Sequence, residues 1–236
     1  MTTIRSNLQR VHERIALACE GAHRLVNEVT LLAVSKTFGP EAVREAFAAG
    51  QCAFGENYIQ EGVEKIALLR DLPLQWHCIG PIQSNKTRLV AANFDWAHTV
   101  DRQKTAQRLS EQRPQDMSPL QVCIQVNIDG GPAKSGVAPQ DALALARDVA
   151  QLPRLTLRGI MTIPEPASDF AGQRAVHMKA KALFDELREA GIALDTLSMG
   201  MTADLEAAIA AGSTMVRVGT AIFGGRPAKK DSSSRA

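Results

Sequence analysis

The sequence predicts an α/β protein, a single (β/α)8 TIM-type barrel preceded by one extra helix. Three observations predict it. Short apolar runs rich in Val, Ile and Leu alternate along the chain with longer amphipathic segments, which is the pattern of parallel βα units. The units number about eight, the count at which a parallel sheet closes on itself. With 236 residues, 45% of them hydrophobic and 22% charged, the chain is long enough to build such a barrel as one domain. An open doubly wound sheet is the rival architecture. It is disfavoured because no G-x-G-x-x-G follows an early strand and nothing marks a break in strand order.

The elements can be justified in order. The opening stretch MTTIRSNLQRVHERIALACEGA sets apolar residues at helical spacing among charges, and it lacks the unbroken apolar core of a signal peptide. Strands are then expected at 30–35 (TLLAVS), 52–54 (CAF), 74–80 (LQWHCIG), 95–100 (DWAHTV), 120–127 (LQVCIQVN), 156–163 (TLRGIMTI), 196–200 (TLSMG) and 214–220 (TMVRVGT). Helices are expected between them at 40–49, 58–71, 102–113, 141–151, 171–190 and 204–211. The barrel domain should cover residues 1–225. The tail 226–236, RPAKKDSSSRA, is polar and without periodicity, and disorder is expected there.

Bulk properties exclude several classes of function. The 27 basic and 25 acidic residues leave a formal charge of +2 with no long basic run outside the tail, so nucleic acid is not the expected partner. No stretch approaches the ~20 apolar residues of a membrane span. Cys19, Cys52, Cys78 and Cys123 are widely spaced with no C-x-x-C pair, and they read as free thiols in a reducing compartment. A cytoplasmic protein is expected, with no metal site.

In a (β/α)8 barrel, function lies at the C-terminal ends of the strands, often with a phosphate held after the seventh and eighth. The seventh strand runs into SMGMTADLEAAI, where Ser198 and Gly200 precede a helix whose first N–H groups suit an anion. The eighth ends in VGTAIFGG, where Gly219 allows close backbone approach and Thr220 offers a hydroxyl. Each loop alone is an ordinary Gly-Ser-Thr turn; it is their joint placement that points to phosphate. Lys36 ends the apolar run LLAVS at the same mouth. A lysine there is either a snorkelling surface residue or a partly desolvated amine able to condense with an aldehyde, and the phosphate cradle across the mouth favours the amine. Asn57, in GENY, reads either as a ligand donor or as a helix cap. His77 is preferred as a satisfied core histidine, Asn127 is a pocket group or a turn former, and Met161 is wall packing. Lys134, in GGPAKSG, is preferred as a solvated lysine on a flexible loop.

As a set, LLAVSK, FGENYIQE, WHCIGPIQSNK, SMGMTADLEAAI and STMVRVGTAIFG resemble the YggS/PROSC family of pyridoxal phosphate-binding homeostasis proteins, from the first helix to about Gly225. That family is similar in fold to the alanine racemase N-terminal domain, the type III pyridoxal phosphate fold. The resemblance implies a Schiff base to pyridoxal 5′-phosphate (PLP) on Lys36. It also implies that Ser198, Gly219 and Thr220 hold the phosphate, that Arg217 approaches the pyridine nitrogen and that Asn57 lies beside the cofactor. The loop GGPAKSG departs from the acidic or polar residues that other members tend to carry before K-S-G. The implied function is PLP homeostasis by a monomer with PLP-dependent apoenzymes as partners, with no catalytic residue assigned. Physical reasoning agrees: Tyr58 is the chain's single tyrosine and has no evident route to the cofactor face opposite the lysine. An arginine at the pyridine nitrogen also weakens the electron sink. The alternatives are a low-activity PLP-dependent amino-acid racemase or decarboxylase and a class I aldolase.

Overall fold

Along each predicted strand the side chains face two apolar environments in alternation, which a closed sheet wrapped by helices satisfies. A computed structural model describes residues 3–131 and 134–225, and the tail expected to be disordered lies outside the described residues. Eight parallel strands appear in chain order: β1 Thr30–Val34, β2 Ala53–Glu56, β3 Gln75–Cys78, β4 Trp96–Val100, β5 Leu120–Val126, β6 Leu155–Thr162, β7 Thr196–Met201 and β8 Met215–Val218. Each pairs with the next. β8 returns to β1 with Thr30 opposite Met215 and Ala33 opposite Val218, so the barrel closes and has no free edge.

The helices are α1 Ile4–Gly21, α2 Pro40–Ala48, α3 Ile59–Leu68, α4 Thr87–Asn93, α5 Gln103–Gln112, α6 Ala142–Ala150, α7 Phe170–Glu189, α8 Leu205–Ala210 and α9 Thr220–Phe223. Periodicity located all but α4 and α9. The first spans 7 residues and the second 4, too few turns to repeat a pattern. Thr220, read from the sequence as the end of the eighth strand, instead opens α9, because β8 stops at Val218 and the N–H groups of Ile222 and Phe223 turn back onto the Gly219 carbonyl.

Two cores result. Outward-facing strand residues such as Ala33, Phe54, Ile124, Leu197 and Val216 pack beneath the helices. Inside the barrel, Leu32, Val34, Ala53, Ile79 and Met215 form an apolar wall on the β8–β1–β2–β3 side, while Trp96, Cys123 and Met161 cluster opposite. Met161 is thus wall packing, as expected. The extra helix α1 buries Leu8, Val11, Ile15 and Cys19 across the short α8 and α9. It is fastened there by Asn7 Nδ2 donating to the Ile222 carbonyl at 2.7 Å and by an Arg14–Glu206 pair at 2.8 Å. All four cysteines are free thiols, and among the described residues no helix is long and apolar enough to cross a membrane.

Candidate functional site

The turn after β1 carries Lys36. It runs from Ser35 to Phe38 and is closed by the Phe38 N–H donating to the Ser35 carbonyl at 3.1 Å. Because β1 lies between β2 and β8, Lys36 is flanked by Asn57 on one side and by Gly219 and Thr220 on the other. The strand ends are held close: a Cβ on Gly219 would stand 3.2 Å from the Val34 carbonyl oxygen. Asn57 is fixed by the loop after β3. A Cβ on Gly80 would fall 1.9 Å from the Asn57 carbonyl oxygen, so that passage admits only glycine.

Among the described residues, polar atoms buried at this end of the barrel without a hydrogen-bond partner include Thr37 Oγ1 beside Lys36, Glu56 Oε2 at the end of β2, Asn57 Oδ1, Asn127 Oδ1 beyond β5 and Thr162 Oγ1 at the end of β6. Buried polar groups are ordinarily hydrogen-bonded, so a group of orphans at one rim marks a surface built for a polar ligand. Thr162 was not singled out from the sequence, since a threonine ending a strand carries no signal of its own.

Arg217 rises from β8 into the same end. It is buried, donating Nη1–H to Ser198 Oγ at 2.8 Å and Nη2–H to the Thr162 carbonyl at 2.9 Å. Burial lowers its pKa to about 10 against the raising effect of Asp204, so the guanidinium stays cationic at neutral pH. Ser198 is the third residue of β7, wholly buried inside the barrel rather than in the loop beyond. Its hydroxyl also lies 3.2 Å from His98 Nδ1, His98 Nε2 lies 2.9 Å from His77 Nδ1, and His77 Nε2 lies 3.0 Å from Gln75 Oε1. The acceptor at Gln75 assigns one direction to the whole chain: Arg217 donates to Ser198, Ser198 to His98, His98 to His77, and His77 to Gln75. Both imidazoles are then neutral. Burial agrees, pushing His77 well below its usual range and, with the Arg217 charge, His98 down to about 3. His77 is the satisfied core histidine anticipated; His98 was missed because a histidine within an apolar strand does not announce its partners.

The loop after β7 presents Thr202 as its hydroxyl residue, half-buried. The turn is shaped by Asp204, whose Oδ1 accepts the Met201 N–H at 2.6 Å and whose Oδ2 lies 2.9 Å from His177 Nε2. Burial would raise Asp204, but the bonds from His177 and Met201 and the Arg217 charge leave it lowered. Lys134 differs from its expected solvated state. Its ammonium is held by Asp129 at 2.8 Å and Glu165 at 3.1 Å, because the loops after β5 and β6 meet there.

Beneath Lys36 lies a buried charged cluster that sequence reading also missed. Glu56, ending β2, pairs with Lys65 of α3 at 2.6 Å, and Lys65 reaches Glu61 at 3.2 Å. Its only sequence signal was the i,i+4 spacing of Glu61 and Lys65, which ordinarily denotes an exposed helix face.

Comparison with known proteins agrees with this geometry. Residues 4–227 match the family described as alanine racemase, N-terminal domain. A pyridoxal phosphate homeostasis protein of Pseudomonas aeruginosa is 57% identical over 226 residues, covering 96% of this chain and 97% of its own. The chain belongs to the pyridoxal phosphate homeostasis protein family. Another member, from Escherichia coli K12, is 51% identical over 98% of this chain and its whole own length. PipY of Synechococcus elongatus, a structure solved with PLP bound, is 39% identical with a TM-score of 0.78, covering 91% of this chain and all of its own. Alanine racemase of Clostridium difficile shares the fold at TM-score 0.76 and 17% identity, and this chain spans 58% of its length.

Proposed function

We propose that the protein binds PLP at the C-terminal end of its barrel and serves PLP homeostasis, with Lys36 as the point of covalent attachment. The observation that carries this reading is the convergence at one rim of a lysine, a buried arginine cation and several partnerless buried polar atoms, Asn57 Oδ1, Asn127 Oδ1 and Thr162 Oγ1 among them. Gly219 and Thr220, with the neighbouring Met201–Asp204 turn, take the phosphate; Asn57 lies beside the ring; Arg217 faces the pyridine nitrogen, with Ser198 acting by holding it. Bound, the cofactor supplies an aldehyde and an electron-accepting ring. The Lys36 amine adds to the aldehyde carbon, C=N replaces C=O, and one water leaves. PLP bound in the S. elongatus relative supports the ligand.

A holding role is favoured over racemisation or decarboxylation. Tyr58, the chain's single tyrosine, is half exposed at the start of α3, and a cationic Arg217 at the ring nitrogen opposes its protonation. Transfer to apoenzymes, a monomeric state and a cytoplasmic location belong to the same reading, and the free thiols fit a reducing compartment. The test is an absorption spectrum before and after borohydride, followed by peptide mapping. The expected label is on Lys36. A label on Lys86 or Lys134, or none, overturns the assignment, and amino-acid racemisation well above that of free PLP overturns the holding role.

A further inference from the structure

Lys36 sits between two residues that are both gripped from β2 and α3. On one side, Ser35 donates its hydroxyl to Glu56 Oε1 at 2.6 Å, and its carbonyl accepts from Lys65 Nζ at 2.9 Å. On the other, Thr37 donates its backbone N–H to Glu61 Oε1 at 2.7 Å. Lys65 joins the two grips by binding both carboxylates. Glu56 and Lys65 are only 0% and 4% exposed. Such a buried pair is a weak source of net stability, because desolvation offsets the attraction. Thr37 supplies an independent observation: its φ is +68°, at a turn position where glycine is the natural occupant and a β-branched residue is strained. Strain of this kind persists only where the surroundings over-determine the conformation.

We infer that Glu56, Glu61 and Lys65 form a positioning clamp that holds the Ser35–Phe38 turn in a strained shape and thereby aims Lys36 for attachment. The inference rests on the reading of Lys36 given above. The clamp does not touch the cofactor. It acts on the amine's approach to the aldehyde carbon, where small misplacements cost rate steeply, and it leaves phosphate and ring contacts alone.

Glu61 is the residue to test, because its side chain is one-third exposed and its loss leaves the buried Glu56–Lys65 pair intact. Glu61→Ala should slow covalent attachment of PLP at Lys36 about tenfold or more. Glu61→Gln, which keeps a carbonyl acceptor for Thr37, should restore it to within about twofold. Pyridoxine 5′-phosphate, which has no aldehyde, should bind wild type and both variants alike. Thr37→Gly gives a second arm that does not endanger the fold: it should be at least as stable as wild type yet attach PLP more slowly. Wild-type attachment rates in Glu61→Ala and Thr37→Gly overturn the clamp. So does a loss of pyridoxine 5′-phosphate affinity equal to the loss of attachment, which would mean general distortion of the mouth. Absence of any Lys36 adduct in wild type overturns the functional reading itself and is distinguished by that control.

Discussion

At the scale of single residues, the proposed site divides PLP binding into a covalent share at Lys36 and a non-covalent share at the loops. Lys36→Ala removes the amine but leaves the loops after β7 and β8 untouched, so the variant should still bind PLP, reversibly and with the spectrum of the free aldehyde or hydrate. If, after dialysis against a competing amine, it retains the spectrum of a lysine adduct, another lysine carries the cofactor. Thr220→Val deletes a hydroxyl proposed to meet the phosphate dianion, a charge-assisted bond worth roughly 1.5–3 kcal/mol, or about 10- to 100-fold in affinity. Ser198→Ala should also weaken retention, by a different route: it strips Arg217 Nη1 of its acceptor and leaves His98 Nδ1 without the hydroxyl beside it. Equilibrium dialysis with PLP checks both: unchanged affinity in Thr220→Val places the phosphate elsewhere, and unchanged affinity in Ser198→Ala means that the Ser198 hold on Arg217 does not serve the cofactor.

Among the elements, the least expected dependence is that of α9 on α1. Thr220 opens a helix of one turn, which cannot be stable by itself. Its Ile222 carbonyl is held by Asn7 Nδ2 from the other end of the chain, in a buried hydrogen bond. Asn7→Leu leaves that carbonyl buried and unsatisfied, at a cost of about 1–3 kcal/mol. The expected result is a lower urea midpoint together with weaker PLP retention, because Thr220 loses its support. A stability loss with cofactor affinity intact would show that α9 is held by β8 alone.

For the molecule as a whole, the polar thread through the barrel makes stability depend on pH. The His98 pKa is about 3 in the fold, against 6.5 as the ordinary value. Between those values the unfolded chain takes up a proton that the folded one refuses, so stability falls as pH drops from 6.5 towards 3 and the contribution is complete above 6.5. The stability advantage of wild type over His98→Gln should therefore shrink by about 1.4 kcal/mol for each pH unit below 6.5. Denaturant titrations at pH 7 and pH 5 read it directly. A constant difference would mean that His98 carries a proton inside the barrel and that the donor order from Arg217 to Gln75 is wrong.

The sequence by itself determined the number, order and approximate limits of the strands and the longer helices, because apolar periodicity is local and each βα unit repeats it. It also located Lys36, Asn57 and Gly219 just beyond strand ends, because a parallel barrel puts every such end on one face, whereas Thr220, read as ending the eighth strand, opens α9. The tertiary structure alone decided what meets across the barrel. His98 and Ser198 are 100 residues apart, Arg217 and Thr162 55 apart, and Asn7 and Ile222 215 apart. No local pattern encodes those distances. For the same reason Ser198, expected within the seventh strand, has its hydroxyl between Arg217 and His98 of two other strands. The Glu61–Lys65 spacing, ordinary for a solvated helix, proved to belong to a buried cluster under Lys36. Closure of the sheet fixes which inward side chains share a layer, and that depends on strand register around the whole circumference rather than on any one segment.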